Sequence, residues 1–231
     1  MSDLRKDVPR LKELASFVIL REGSIPYFYN DNENFVTIGI GTLVKTRNDA
    51  RSLGSDTNVR FTIQNSPNTR ATADDVVTDW ERVHAKLGLP EHAYAKVAML
   101  RLDNLSMNYL MMQEIRRSAN SLYRLHPFLI GFDSRIAMAL VDTRYNPAGI
   151  NPYRSPRVVP LWAALKSYDL DKALALFKTI WAGRGGKNHA RYQTRHSQRV
   201  TWFAAGVAAM RIDNPMTSRG NPAGNYQTLR P

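Results

Sequence analysis

The apolar positions change their period once near the start of the chain. Leu11, Leu14, Ala15, Val18 and Ile19 recur every three or four residues, which predicts a helix over 10–22 with Gly23 as its stop. Over 26–43 the pattern becomes that of strands. Two runs rich in aromatic and β-branched residues, Tyr27–Tyr29 and Phe35–Ile40, flank the polar stretch Asn30–Asn34 and predict a β-hairpin with a longer loop. Residues 45–73 are polar with no strong period, and read as an extended loop region with one short strand at Val59–Ile63. Thr72 and Asp75 form a capping-box pattern ahead of Val76, Val77, Trp80, Val83 and Leu87, a helix that Gly88 and Pro90 close. Beyond that point helices are expected over about 92–119, 133–146, 157–166, 169–182 and 195–210, and 212–231 reads as an irregular arm. The whole predicts a single α+β domain over 1–211. It has a small β lobe at about 23–73 and a larger helical lobe at about 74–211, to which the N-terminal helix belongs.

Composition narrows the classes. With 43% hydrophobic and 10% aromatic residues over 231 positions, a disordered tail protein is excluded and a sizeable core is expected. The absence of cysteine excludes disulfides, a thiol nucleophile and thiolate metal sites. His84, His92, His126, His189 and His196 show no ligand spacing, so no metal or other cofactor is expected. No apolar run approaches the roughly 18 residues of a membrane span. The N-terminus alternates charge with leucine and reads as carrying no secretory signal. The net charge of +12 predicts attraction to polyanions without choosing among them. Arg191, Arg195 and Arg199, four residues apart, read either as a solvated basic stripe or as a surface for anionic cell wall or lipopolysaccharide. No helix-turn-helix, zinc-finger or RRM signature accompanies them, so nucleic acid is not the expected partner.

Three residues suggest chemistry. Glu22 ends the first helix, Asp31 lies in the hairpin loop, and Thr37 opens Thr37-Ile38-Gly39-Ile40-Gly41. Glycoside cleavage needs one carboxyl that donates a proton and a second that activates water or stabilises positive charge. A carboxyl at a helix end packed on a hairpin is open to desolvation, which suits Glu22 to the acid role. Asp31 on an open loop stays ionised, and the Thr37 hydroxyl beside it can orient a water. Gly39 and Gly41 remove side chains where a polymer would approach the backbone. Tyr27 and Tyr29 read as hairpin packing, with one of them available to line a cleft.

This arrangement resembles the phage-type lysozymes, glycoside hydrolase family 24. Their signature is Glu-Gly, an Asp nine residues after the Glu, and a Thr fifteen after it that opens Thr-Ile-Gly-Ile-Gly; Glu22-Gly23, Asp31 and Thr37–Gly41 match all of it. At average composition, such a triple at fixed spacing arises by chance on the order of once in 10⁴ starts. Ala139-Leu140-Val141-Asp142 leading to Tyr145, Asn146 and Gly149, and the segment Arg195 to Phe203, are looser matches to two further motifs. The chain departs from the pattern at Thr42 (usually His), Asn34 (usually Gly), His196 (usually Arg) and Arg199 (usually Glu), and 45–73 is longer than typical. These departures bear on which wall chemistry is recognised and leave the Glu–Asp–Thr set intact.

The resemblance implies a lysozyme-like α+β fold with a cleft between its lobes. It implies a muramidase that cleaves the β-1,4 bond between N-acetylmuramic acid and N-acetylglucosamine in bacterial peptidoglycan. Glu22 would be the general acid, with Asp31 and Thr37 holding the water. Inversion at the anomeric carbon would follow, which calls for carboxyls about 6.5–9.5 Å apart. Tyr29, Gly39, Gly41, Thr42 and Asn146 are the candidate substrate contacts. Two settings fit: a phage endolysin released through a holin, or an effector that a secretion system injects into a rival's periplasm, opposed by an immunity protein. A monomer is expected. Rival readings are a lytic transglycosylase working with the Glu alone, and a non-catalytic binder of peptidoglycan or nucleic acid.

Overall fold

A computed structural model of the chain describes residues 3–31, 33–145, 155–182 and 189–213. It is mixed α+β, mostly helical with small antiparallel sheets. In order, the elements are α1 (Val8–Glu22), β1 (Ile25–Asn30), β2 (Val36–Gly39), β3 (Thr42–Leu43), α2 (Arg47–Ser55), β4 (Phe61–Ile63), β5 (Ser66–Arg70), α3 (Ala73–His84), β6 (Leu100–Leu102), α4 (Asn104–Leu125), α5 (Ser134–Tyr145), α6 (Val159–Lys166), α7 (Leu170–Ile180) and α8 (His189–Asp213). Short 3-10 turns occupy Glu91–Lys96, Pro127–Gly131 and Pro156–Val158. The chain divides into two compact units. One is Ala15–Ile115, and the other comprises the described parts of Met1–Leu14 and Arg116–Pro231. The division at 115/116 groups α3, β6 and the first half of α4 with the sheets, where the sequence pattern suggested a boundary near 73.

The unit Ala15–Ile115 carries two three-stranded antiparallel sheets, ordered β1-β2-β3 and β5-β4-β6. The expected hairpin is β1–β2, with Tyr29 opposite Thr37, and the chain then turns through Ile40 and Gly41 so that Thr37 also lies opposite Leu43 of β3. Phe28 of β1 stacks on Phe61 of β4 with ring centres 5.7 Å apart, over a core of Val36, Ile38, Leu100 and Leu102. Asn30 fixes the end of the hairpin. Its buried amide nitrogen lies 3.0 Å from the carbonyl oxygens of both Val83 and Lys86 and 3.1 Å from the Tyr94 hydroxyl, tying β1 to the end of α3 and to the Glu91–Lys96 turn. Asp79 accepts from the Met99 and Leu100 amides at 2.8 and 3.1 Å and so sets the start of β6. Burial pushes its carboxyl above the usual range, against the pull of those amides and of Arg82.

Two expectations change here. Residues 45–73 are not an extended loop: they form α2 and the β4–β5 hairpin. Thr46 and Asp49 make a full capping box, and Gly54 lets α2 lie against α3, since a Cβ there would sit 2.8 Å from Ala73 Cα. The stretch 92–119 is not one helix either. The 3-10 turn and β6 interrupt it before α4 begins, because Leu100–Leu102 pairs with Phe61–Ile63. The capping box at Thr72 and Asp75 is present as expected.

In the second unit α5 packs on α8, and α7 on both α6 and α8. Phe177, Trp181 and Phe203 form an aromatic core, and Gly206 permits the close α5–α8 approach. The N-terminal segment is held by Leu4 N donating to the Tyr123 hydroxyl at 2.9 Å and by the Trp202 indole donating to Glu13 at 2.8 Å. The supposed basic stripe is overturned. Arg195 and Arg199 are buried and both clasp buried Asp142 of α5. Arg195 reaches its two oxygens at 2.9 and 2.6 Å, while Arg199 reaches Oδ2 at 2.6 Å and the Asp142 carbonyl at 2.8 Å. A periodic set of arginines pointed to a surface, but two of them face the core because a carboxylate more than fifty residues earlier neutralises them. Asp142 thus joins α5 to α8.

Candidate active site

Glu22, Asp31 and Thr37 all belong to the unit Ala15–Ile115. Glu22 is the last residue of α1, and Gly23 after it takes a left-handed φ of +76°, which releases the chain into β1. Its side chain is exposed. It is not enclosed against the hairpin as its place at a helix end suggested.

Asp31 follows β1 and is half-buried. Its Oδ1 accepts from the amides of Glu33 and Phe35 at 2.9 and 3.0 Å, and its own amide donates to the Phe35 carbonyl at 2.9 Å. Asn34 closes the loop with a φ of +62°, a conformation Asn tolerates better than most side chains. One carboxylate oxygen thus builds the turn while the other is aimed. The buried Thr37 hydroxyl lies 3.4 Å from Asp31 Oδ2 and 3.3 Å from the Phe35 carbonyl. It can donate to either and accept from a water.

Tyr29 sits across the ladder from Thr37 and is buried rather than forming an open sugar platform. Burial, together with the charges of Glu91, Asp31 and Glu22, raises its hydroxyl well above the ordinary phenol range and keeps it protonated. Glu91, the exposed first residue of the 3-10 turn, contributes the largest of those charges. It stands sixty residues from Asp31 in no motif, and the Asn30–Tyr94 bond ties its turn to the hairpin.

The remaining candidates separate by exposure. Gly41 is exposed at a φ of +79° with open space beyond it, so its backbone is accessible to a polymer. Thr42 is half-buried beside it. Gly39 is buried at the strand end, and a Cβ there would face Met107 and Leu102 of its own unit at 3.6 and 3.7 Å. Asn146, and the arm beyond 213, lie outside the described residues. No helix among the described residues is long and apolar enough to cross a membrane. No family model, curated protein or solved structure matches the chain.

Proposed function

We propose that the chain is a peptidoglycan muramidase, cleaving the β-1,4 bond between N-acetylmuramic acid and N-acetylglucosamine. The observation that carries this reading is the division of labour at Asp31. Oδ1 is saturated by two backbone amides, and Oδ2 is turned to the Thr37 hydroxyl, a geometry suited to holding a water for attack on a sugar carbon. Glu22 is the general acid. Being exposed, it is open to the leaving oxygen of a bound glycan. Gly41 offers backbone to the polymer.

A digest of purified sacculi by wild type and by Glu22→Gln, with products read by mass spectrometry, tests this. Reducing muramic ends from wild type alone are expected. Anhydro-muramic ends would move the reaction to a lytic transglycosylase, and equal products from both proteins would remove Glu22 from the mechanism. With Arg195 and Arg199 buried, the stripe at 191, 195 and 199 no longer offers α8 as a surface for an anionic wall polymer or for nucleic acid.

A further inference from the structure

The charge of the chain is segregated by unit. Ala15–Ile115 carries 10 Lys and Arg against 12 Asp and Glu, and the rest of the chain carries 22 against 8. The unit with the candidate site is thus slightly acidic, and the helical unit holds more than the entire net charge of +12. Removing the sealed Asp142 cluster from the count leaves the excess almost unchanged. Part of it lies on one helix face. In the second half of α4, Ser118, Ala119, Leu122 and Tyr123 point inward and are buried, whereas Arg116, Asn120 and Arg124, at successive intervals of four, are exposed. No acidic residue and no aromatic ring lies on that outward face from 116 to 124.

We infer that the helical unit, through the α4 face of Arg116 and Arg124, docks a phosphate-rich anionic polymer of the cell envelope. The inference rests on the muramidase reading for the choice of envelope. A site unit with a net negative charge gains no attraction to an anionic wall, so a cationic unit is needed to raise the local concentration of enzyme there. Guanidinium groups pair bidentately with phosphate. The lack of rings on the face removes the base-stacking platforms a single-stranded nucleic-acid binder uses.

The test is a pelleting assay of full-length Glu22→Gln protein on two sacculus preparations, one retaining its phosphate polymers and one stripped of them by hydrofluoric acid. Binding to the phosphate-bearing preparation is expected to fall roughly tenfold between 50 and 200 mM salt for every two phosphates engaged. It should fall at least several-fold on stripping, and comparably in an Arg116→Glu/Arg124→Glu variant, with recovery in Arg116→Lys/Arg124→Lys. Equal binding to stripped walls, or an unchanged charge-reversed variant with wild-type circular dichroism, would overturn the inference. So would stronger binding to duplex DNA at equal phosphate, which would assign the face to nucleic acid. The assay needs no turnover: binding that survives with no cleavage by wild type refutes the muramidase reading and leaves the polyanion surface standing.

Discussion

Asp31 and Asp142 are both carboxylates held by several hydrogen bonds, and their surroundings are opposite. Asp31 is half-buried in a loop, with one oxygen taken by two backbone amides and the other facing a single hydroxyl at 3.4 Å. Asp142 is sealed, both of its oxygens and its carbonyl held by two buried guanidinium groups. A carboxylate whose acceptor sites are filled by fixed cations has no capacity left for water or substrate. One that is oriented by neutral amides keeps an oxygen for chemistry. The difference between the two lies in their partners, neutral amides and a hydroxyl for one and buried cations for the other.

The largest effect is expected at Asp142. Asp142→Asn leaves Arg195 and Arg199 buried without their counter-charge and should cost about 3–5 kcal/mol in denaturant unfolding. Burial alone would raise this carboxyl, but hydrogen bonding from Arg195 and the charges of Arg199 and Arg195 outweigh it and hold it below the usual range. A lowered folded value means that its stabilisation is fully present above the unfolded value near 4 and is lost as pH falls through the folded one. The gap in stability between wild type and Asp142→Asn should therefore narrow as pH drops below about 4, and a gap independent of pH would show that Asp142 is not ionised in the fold. Next in size is Gly206→Ala. Its Cβ would lie 2.7 Å from Ile136 Cγ1 and 3.2 Å from the Ile136 amide nitrogen, prying α8 from α5 at a cost of about 1–3 kcal/mol. Wild-type stability in that variant would mean the seal over Asp142 is looser than its contacts indicate.

The two regions were unequally legible. The hairpin announced itself through aromatic and β-branched runs around a polar loop, and every residue of the Glu–Asp–Thr set falls within sixteen positions, so local pattern sufficed. The α5–α8 seal depends on pairing across 53 and 57 residues, which periodicity cannot see, and the regular spacing of its arginines pointed the wrong way. α2 was hidden because Ala50 is the only residue it fully buries; its Thr46–Asp49 capping box carried the signal, as the same pattern at Thr72–Asp75 did for α3. β6 was hidden because a three-residue strand has no meaning without β4. Glu22 was read as enclosed from its place at a helix end, but a chain that leaves through Gly23 carries the backbone away and leaves the side chain in water.

The smallest expected stability effect is at Asp31, and it sharpens the contrast most. In Asp31→Asn the side-chain carbonyl keeps Oδ1 in place, so the amides of Glu33 and Phe35 retain their acceptor and the turn persists. The amide nitrogen that replaces Oδ2 cannot accept from Thr37, whose hydroxyl then turns to the Phe35 carbonyl 3.3 Å away. No buried charge is orphaned. The change in unfolding free energy should stay within about 0.5 kcal/mol, as for most surface substitutions. On the muramidase proposal, wall cleavage should nevertheless fall by about two or more orders of magnitude, since the group assigned to hold and activate water is lost. Asp31→Ala removes the turn acceptor as well and should cost about 1 kcal/mol more. A loss of several kcal/mol in Asp31→Asn with cleavage retained would reverse the assignment and make Asp31, like Asp142, a carboxylate that only holds the fold.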